Sequence, residues 1–138
     1  MADGLRADDM GLSDLVHGQQ PVGVGIVGLG NISDTYLRNI SQEFPEILQI
    51  IGCTDLNRQR SAAVAAEYAI TDFADMSTLL ADDQIEVVLN LTTPKSHHEV
   101  STAAISAGKH VYSEKPIGIE FPAAQHLLRK AQAADLLI

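Results

Sequence analysis

At 138 residues, with 46% apolar and 20% charged side chains, the chain has the size and composition of one globular domain. A formal charge of −9 repels nucleic-acid phosphates, and no apolar run approaches the roughly 20 residues that span a bilayer, so nucleic acid and membrane are set aside as partners. The single cysteine, Cys53, excludes an intrachain disulfide, and with 4% aromatic residues and no tryptophan the core must be aliphatic.

Residues 1–20 are polar and acidic, with no sustained period and none of the basic and apolar blocks of a secretion signal. They read as a mobile tail on a cytoplasmic protein, ahead of one domain over residues 21–138. Val22–Gly28 is a short apolar run rich in valine and glycine, as in a buried strand. Ile32, Tyr36, Leu37 and Ile40 then share one face of a helix that Pro45 stops. Leu48–Thr54 predicts a second strand ending at Asp55, with Cys53 as a small hydrophobe inside it. The alanine-rich stretch from Arg58 to Tyr68 predicts a helix, Ile70–Phe73 a weak third strand and Ser77–Ala81 a short helix. Ile85–Leu91 is the clearest central strand, broken by Thr92-Thr93-Pro94. Ser96, with Glu99 three residues on, predicts a capping box opening a helix that runs to Ala107 and ends at Gly108. His110–Ser113 reads as a fifth strand, Phe121 to Ala134 as a last helix, and Leu136-Leu137-Ile138 as the start of a sixth strand. Strand and helix alternate throughout, which predicts an α/β fold: a Rossmann-type, doubly wound parallel sheet with helices on both faces.

Gly28-Leu29-Gly30-Asn31-Ile32-Ser33 leaves the first strand and enters the first helix. Gly28 permits a tight turn, and Gly30 lets backbone approach a pyrophosphate without a Cβ in the way. A small third residue lets helix and strand pack; here it is Ser33 rather than Gly or Ala. The phosphates would rest on the helix N-terminus, held by the N–H groups around Asn31 and Ile32. Asp55 stands where an acid accepts hydrogen bonds from an adenosine ribose diol, a role compatible with capping the next helix. Its charge favours NAD, while Arg58 and Arg60 just beyond it leave NADP open. No cysteine pair or histidine spacing suggests a metal site.

Two further strand ends carry polar groups, Thr92-Thr93-Pro94 with His97, and Glu114-Lys115-Pro116. The run LNLTTPKSHHEVSTAAISAGKHVYSEKPIGIE, residues 89–120, resembles the Gfo/Idh/MocA oxidoreductases, and together with GLGNIS and Asp55 the likeness covers roughly residues 22–138. The resemblance implies that Thr92, Thr93, Pro94 and His97 line the cofactor groove on its nicotinamide side. It implies that Glu114, Lys115 and Pro116 form the family's EKP motif, often with a cis Lys–Pro bond, whose lysine lies beside the nicotinamide and the reacting carbon. It also implies a parent enzyme that oxidises a secondary alcohol of a sugar or polyol. The family's C-terminal α+β domain, which carries the proton-transferring acid or base, is not in this sequence, so the chain is expected to be the inactive amino-terminal part of a longer protein and prone to associate, with a homo-oligomer open. The competing reading is an NAD(P)-binding sensor or regulatory module without chemistry, since fold alone does not decide function.

Overall fold

The computed structural model describes residues 19–138, so the expected tail falls almost wholly outside the described residues. Ten elements alternate along the chain. They are β1 (Val22–Val27), α1 (Ser33–Glu43), β2 (Leu48–Thr54), α2 (Arg58–Tyr68), β3 (Thr71–Asp72), α3 (Met76–Leu80), β4 (Val87–Asn90), α4 (Pro94–Ser106), β5 (His110–Ser113) and α5 (Phe121–Ala133). The strands form one sheet in the order β3-β2-β1-β4-β5, with every neighbouring pair parallel. The chain starts in the middle of the sheet, builds outward through β2 and β3, then returns to the other side of β1 with β4. Neighbouring strands β1 and β4 therefore send their following connections in opposite directions, and the crevice between them is where such sheets bind ligands.

Alternation along the central strands loads both faces. Val24 and Ile26 of β1, with Leu89 of β4, pack beneath Leu37 and Ile40 of α1 and Ala65 of α2. Val27 and Val88 turn the other way, into a cluster with Leu79 of α3, Ala104 and Ile105 of α4, and Leu127 of α5. The doubly wound architecture expected from the alternating pattern is the one observed, and its core is aliphatic on both sides.

Four local expectations shift. The capping box at Ser96 does not form: α4 starts at Pro94 with an extended Thr93 as its N-cap and no side-chain cap bond, which puts Ser96 inside the first turn. A proline has no N–H to leave unsatisfied at the first helical position, so the helix begins there at no cost. Ile32 is not on the buried face of α1; it is the N-cap, and 44% exposed. The third strand shrinks to Thr71–Asp72, because only these two residues reach β2 in register. Leu136–Ile138 is not a strand, although the Val111 N–H donates to the Leu137 carbonyl at 2.9 Å.

Candidate functional site

The glycine turn sits at the carboxyl end of β1. Gly28 has φ +93, and a Cβ there would lie 2.8 Å from the carbonyl of Leu91 and the nitrogen of Thr92. Both the dihedral and the approach of the β4 exit therefore demand glycine. Gly30 differs: nothing lies within 4 Å of where its Cβ would stand, so its face of the turn is open. Ser33, at the small third position, is buried, and its hydroxyl and N–H both donate to the Gly30 carbonyl at 2.7 and 3.0 Å. Among the described residues, the N–H groups of Gly30, Asn31 and Ile32 have no acceptor, and α1 begins directly behind them. An exposed glycine ahead of free N–H groups at a helix N-terminus is a cradle for phosphate.

Asp55 closes the turn from the side. Its Oδ2 accepts from the Leu29 N–H at 2.7 Å and its Oδ1 from the Asn57 N–H at 2.7 Å. The cap of α2 is Asn57, which accepts from the Arg60 N–H, so Asp55 is not the capping residue. The two nearby arginines part company. Arg58 donates to the Phe73 carbonyl at 2.8 Å and pairs with Asp72 at 2.6 Å, which ties the end of β2 to β3. Arg60 lies with Nη1 3.7 Å from Oδ2 of Asp55. The hydroxyl of Ser61, first, and then Arg58 hold the Asp72 carboxyl below the usual carboxylate range.

The exits of β4 and β5 are organised by Asn90, which is fully enclosed. Its amide donates to the His97 carbonyl and the Ser101 hydroxyl, both at 2.9 Å, while its side-chain oxygen accepts from the Thr92 hydroxyl at 2.6 Å. Its backbone carbonyl accepts from the Glu114 N–H at 3.1 Å. His97 is 1% exposed, with Nε2 2.8 Å from the Thr92 carbonyl and Nδ1 2.7 Å from the Pro116 carbonyl. A neutral ring donates to one of these oxygens and an imidazolium to both. Either way no nitrogen of His97 is left for a ligand. The expected groove-lining contact from its ring is replaced by a structural one, a tie between the β4 exit and the 114–116 segment.

That segment is held at its other end as well. The Tyr36 hydroxyl, from the first turn of α1, donates to Glu114 Oε1 at 2.5 Å, and the Tyr36 ring meets Tyr112 edge-on with centroids 6.1 Å apart. The bond to the Glu114 carboxylate, with burial adding to it, pushes the Tyr36 phenol well above its ordinary range. The Lys115–Pro116 peptide is cis, and Lys115 is exposed with no hydrogen bond among the described residues. Thr93 and Pro94 are also exposed, and Thr92 is half-buried.

A family model described as "Oxidoreductase family, NAD-binding Rossmann fold", that of Gfo/Idh/MocA, matches residues 22–138. The chain belongs to the Gfo/Idh/MocA oxidoreductases. It is similar to inositol 2-dehydrogenase of Salmonella paratyphi B, at 30% identity over 78% of this chain and 32% of the relative. It is similar to UDP-N-acetylglucosamine 3-dehydrogenase of Acidithiobacillus ferrooxidans at 32% identity, over 83% of this chain and 34% of that one. A solved structure of the latter enzyme superposes with a TM-score of 0.76 at 29% identity, covering 84% of this chain and 36% of its own. The chain thus spans about a third of the length of the curated relatives it matches. It is an NAD-binding Rossmann domain of this family. No helix among the described residues is long and apolar enough to cross a membrane.

Within this Gfo/Idh/MocA domain the structure gathers the expected residues at one edge of the sheet. Gly28 abuts the Leu91–Thr92 backbone, Asp55 grips the turn, and Glu114 is tied both to Asn90 and to the helix that leaves the turn. Sequence reasoning missed Tyr36, Asn90 and the bracing role of Arg58. Asn90 had a signal, as the lone polar side chain within Val87–Leu91. Tyr36 had none, since it read as one more residue of the apolar face.

Proposed function

We propose that this chain holds NAD(H) for an oxidoreductase that converts a secondary alcohol of a sugar or polyol to a ketone, with Lys115 at the reacting carbon. The observation that carries this reading is that the phosphate turn and the Lys115 segment meet at one crevice, with Gly28 against the β4 exit and Tyr36 bonded to Glu114. The residues fit the cofactor. The open face of Gly30 and the N–H groups of Asn31 and Ile32 accept the pyrophosphate, and Asp55 keeps acceptor capacity for a ribose diol. Thr92, Thr93 and Pro94 border the groove beyond β4, and Glu114, Lys115 and Pro116 border it beyond β5.

A nicotinamide held here by the phosphate turn and bordered by Thr92, Thr93 and Lys115 would supply the hydride-accepting carbon for this oxidation. The Lys115 side chain, without a hydrogen-bond partner among the described residues, donates a hydrogen bond to the alcohol oxygen as its bond to carbon becomes double. We place the acceptor of the hydroxyl proton in the part of the relatives' length that residues 22–138 do not span. The substrate class follows the relatives named for inositol and UDP-N-acetylglucosamine.

NAD is preferred over NADP. The Asp55 carboxylate repels a 2′-phosphate, and Arg58 is committed to Phe73 and Asp72, which leaves only Arg60 near the ribose position. Calorimetric titration of the chain tests this reading. Saturable NADH binding that is tighter than NADPH binding, and lost in Gly30→Val, supports it. Absence of saturable binding to either nucleotide refutes it.

A further inference from the structure

The Lys115 segment has an anchor on each side, and they come from different elements. Pro116, on one side, offers its carbonyl to His97 of α4 at 2.7 Å. Glu114, on the other, receives the Tyr36 hydroxyl at 2.5 Å across 78 positions of sequence. Tyr36 is three residues into the helix whose N-terminus forms the phosphate cradle, and Ser33, the first residue of that helix, is bonded to Gly30. A short, stiff path therefore runs from the cradle through one helical turn to the residue before the lysine. A hydroxyl donating to a carboxylate is among the stronger side-chain hydrogen bonds. The Tyr36 phenol is pushed far above its usual range by that bond, so the donor stays protonated throughout neutral pH. The ring is seated against Tyr112 of β5, which fixes its direction.

We infer that Tyr36 is a positioning residue: through Glu114 it holds the Lys115 segment in register with the phosphate turn, so that the lysine stands at the nicotinamide end of the cofactor and not elsewhere along the groove. This rests on the reading of the crevice as a dinucleotide site. It assigns to α1 a second task beside phosphate binding, namely setting the distance between the two ends of the site.

The test compares Tyr36→Phe, which removes one oxygen atom, with the unsubstituted chain. Hydrogen exchange read by mass spectrometry reports on residues 113–118, and calorimetry compares NADH with ADP-ribose, which has the adenosine and pyrophosphate but no nicotinamide. The expected result is faster exchange in 113–118 and about a 3- to 10-fold loss of NADH affinity, below the full worth of a charge-assisted hydrogen bond because the lost contact braces the segment and not the ligand, with ADP-ribose affinity unchanged. Unchanged exchange, or an equal loss for both ligands, overturns the inference, because a purely structural tyrosine would not distinguish the two nucleotides. If the unsubstituted chain binds neither nucleotide, the cofactor reading is what fails, and the exchange result alone then supports or overturns the brace. Should Tyr36→Phe fail to fold, Glu114→Gln weakens the same contact from the other side and is read in the same way.

Discussion

The two halves of the crevice are held by different means. On the turn side every contact ends on the turn's own backbone: Gly28 takes φ +93, the Gly30 carbonyl receives Ser33, and the Leu29 N–H donates to the Asp55 carboxylate. On the lysine side the backbone is arranged by side chains, with Asn90 bonded to the following helix and to Thr92, and His97 and Tyr36 each reaching the 114–116 segment from another element. The side chains that reach the turn stop at the Leu29 N–H and the Gly30 carbonyl, and leave the N–H groups of Gly30, Asn31 and Ile32 bare, as the proposed phosphate site requires. The lysine side must aim one side chain, so other side chains brace it.

The sharpest break of this comparison is Gly28→Ala. It forces a residue with a Cβ to φ +93 and into contact with Leu91 and Thr92, and should cost about 3–5 kcal/mol in chemical denaturation. Gly30→Ala, two positions on and equally part of the turn, should stay within about 0.5 kcal/mol of the unsubstituted chain, since its Cβ meets nothing. If both glycines behaved alike, the turn would not be built as described. On the lysine side, His97→Ala removes two carbonyl contacts and leaves a buried gap, for a loss of about 2–4 kcal/mol by thermal or urea unfolding.

Asp55→Asn should cost less, about 1–2 kcal/mol, because an amide oxygen still accepts from Leu29 without the charge. The same variant should narrow the preference for NADH over NADPH, measurable by paired titrations. The smallest effect belongs to the contact between α2 and β3. The Asp72 carboxyl is held below the usual range by Ser61 and Arg58, so its contribution is present above the unfolded carboxylate's pKa and is lost as pH falls through the lowered value. Ser61→Ala should therefore lower stability at neutral pH, and the gap to the unsubstituted chain should close below about pH 4, followed by circular dichroism during acid unfolding.

The same division explains what the sequence disclosed. Strand and helix alternation, the glycine turn and the approximate bounds of nearly every element were legible, because they rest on local period and on glycine and proline chemistry. His110–Ser113 and Arg58–Tyr68 were read to the residue. The α4 start was misread because Ser96 and Glu99 match a capping box in isolation, whereas the cap is Thr93, three residues earlier, with Pro94 opening the helix. The capping role that the sequence allowed to Asp55 falls to Asn57, two residues on. His97 was visible as a motif residue, but its burial between two carbonyls was not, because the second carbonyl belongs to a loop 19 positions away. Tyr36 was hidden for the same reason, its partner being set only by the order of strands in the sheet.

The grip of Asp55 on Leu29 has a consequence for the speed of recognition. The carboxylate bonds the turn's own N–H at 2.7 Å, and so the chain itself supplies the contact that keeps the loop in shape. A dinucleotide that meets a loop already set loses little conformational entropy in ordering it, and such preorganisation raises the rate of productive encounter as much as the lifetime of the complex. On the proposed reading of Asp55, the carboxylate needs only to extend its remaining lone pairs to a ribose, a swing of acceptors and not a rebuilding of the turn.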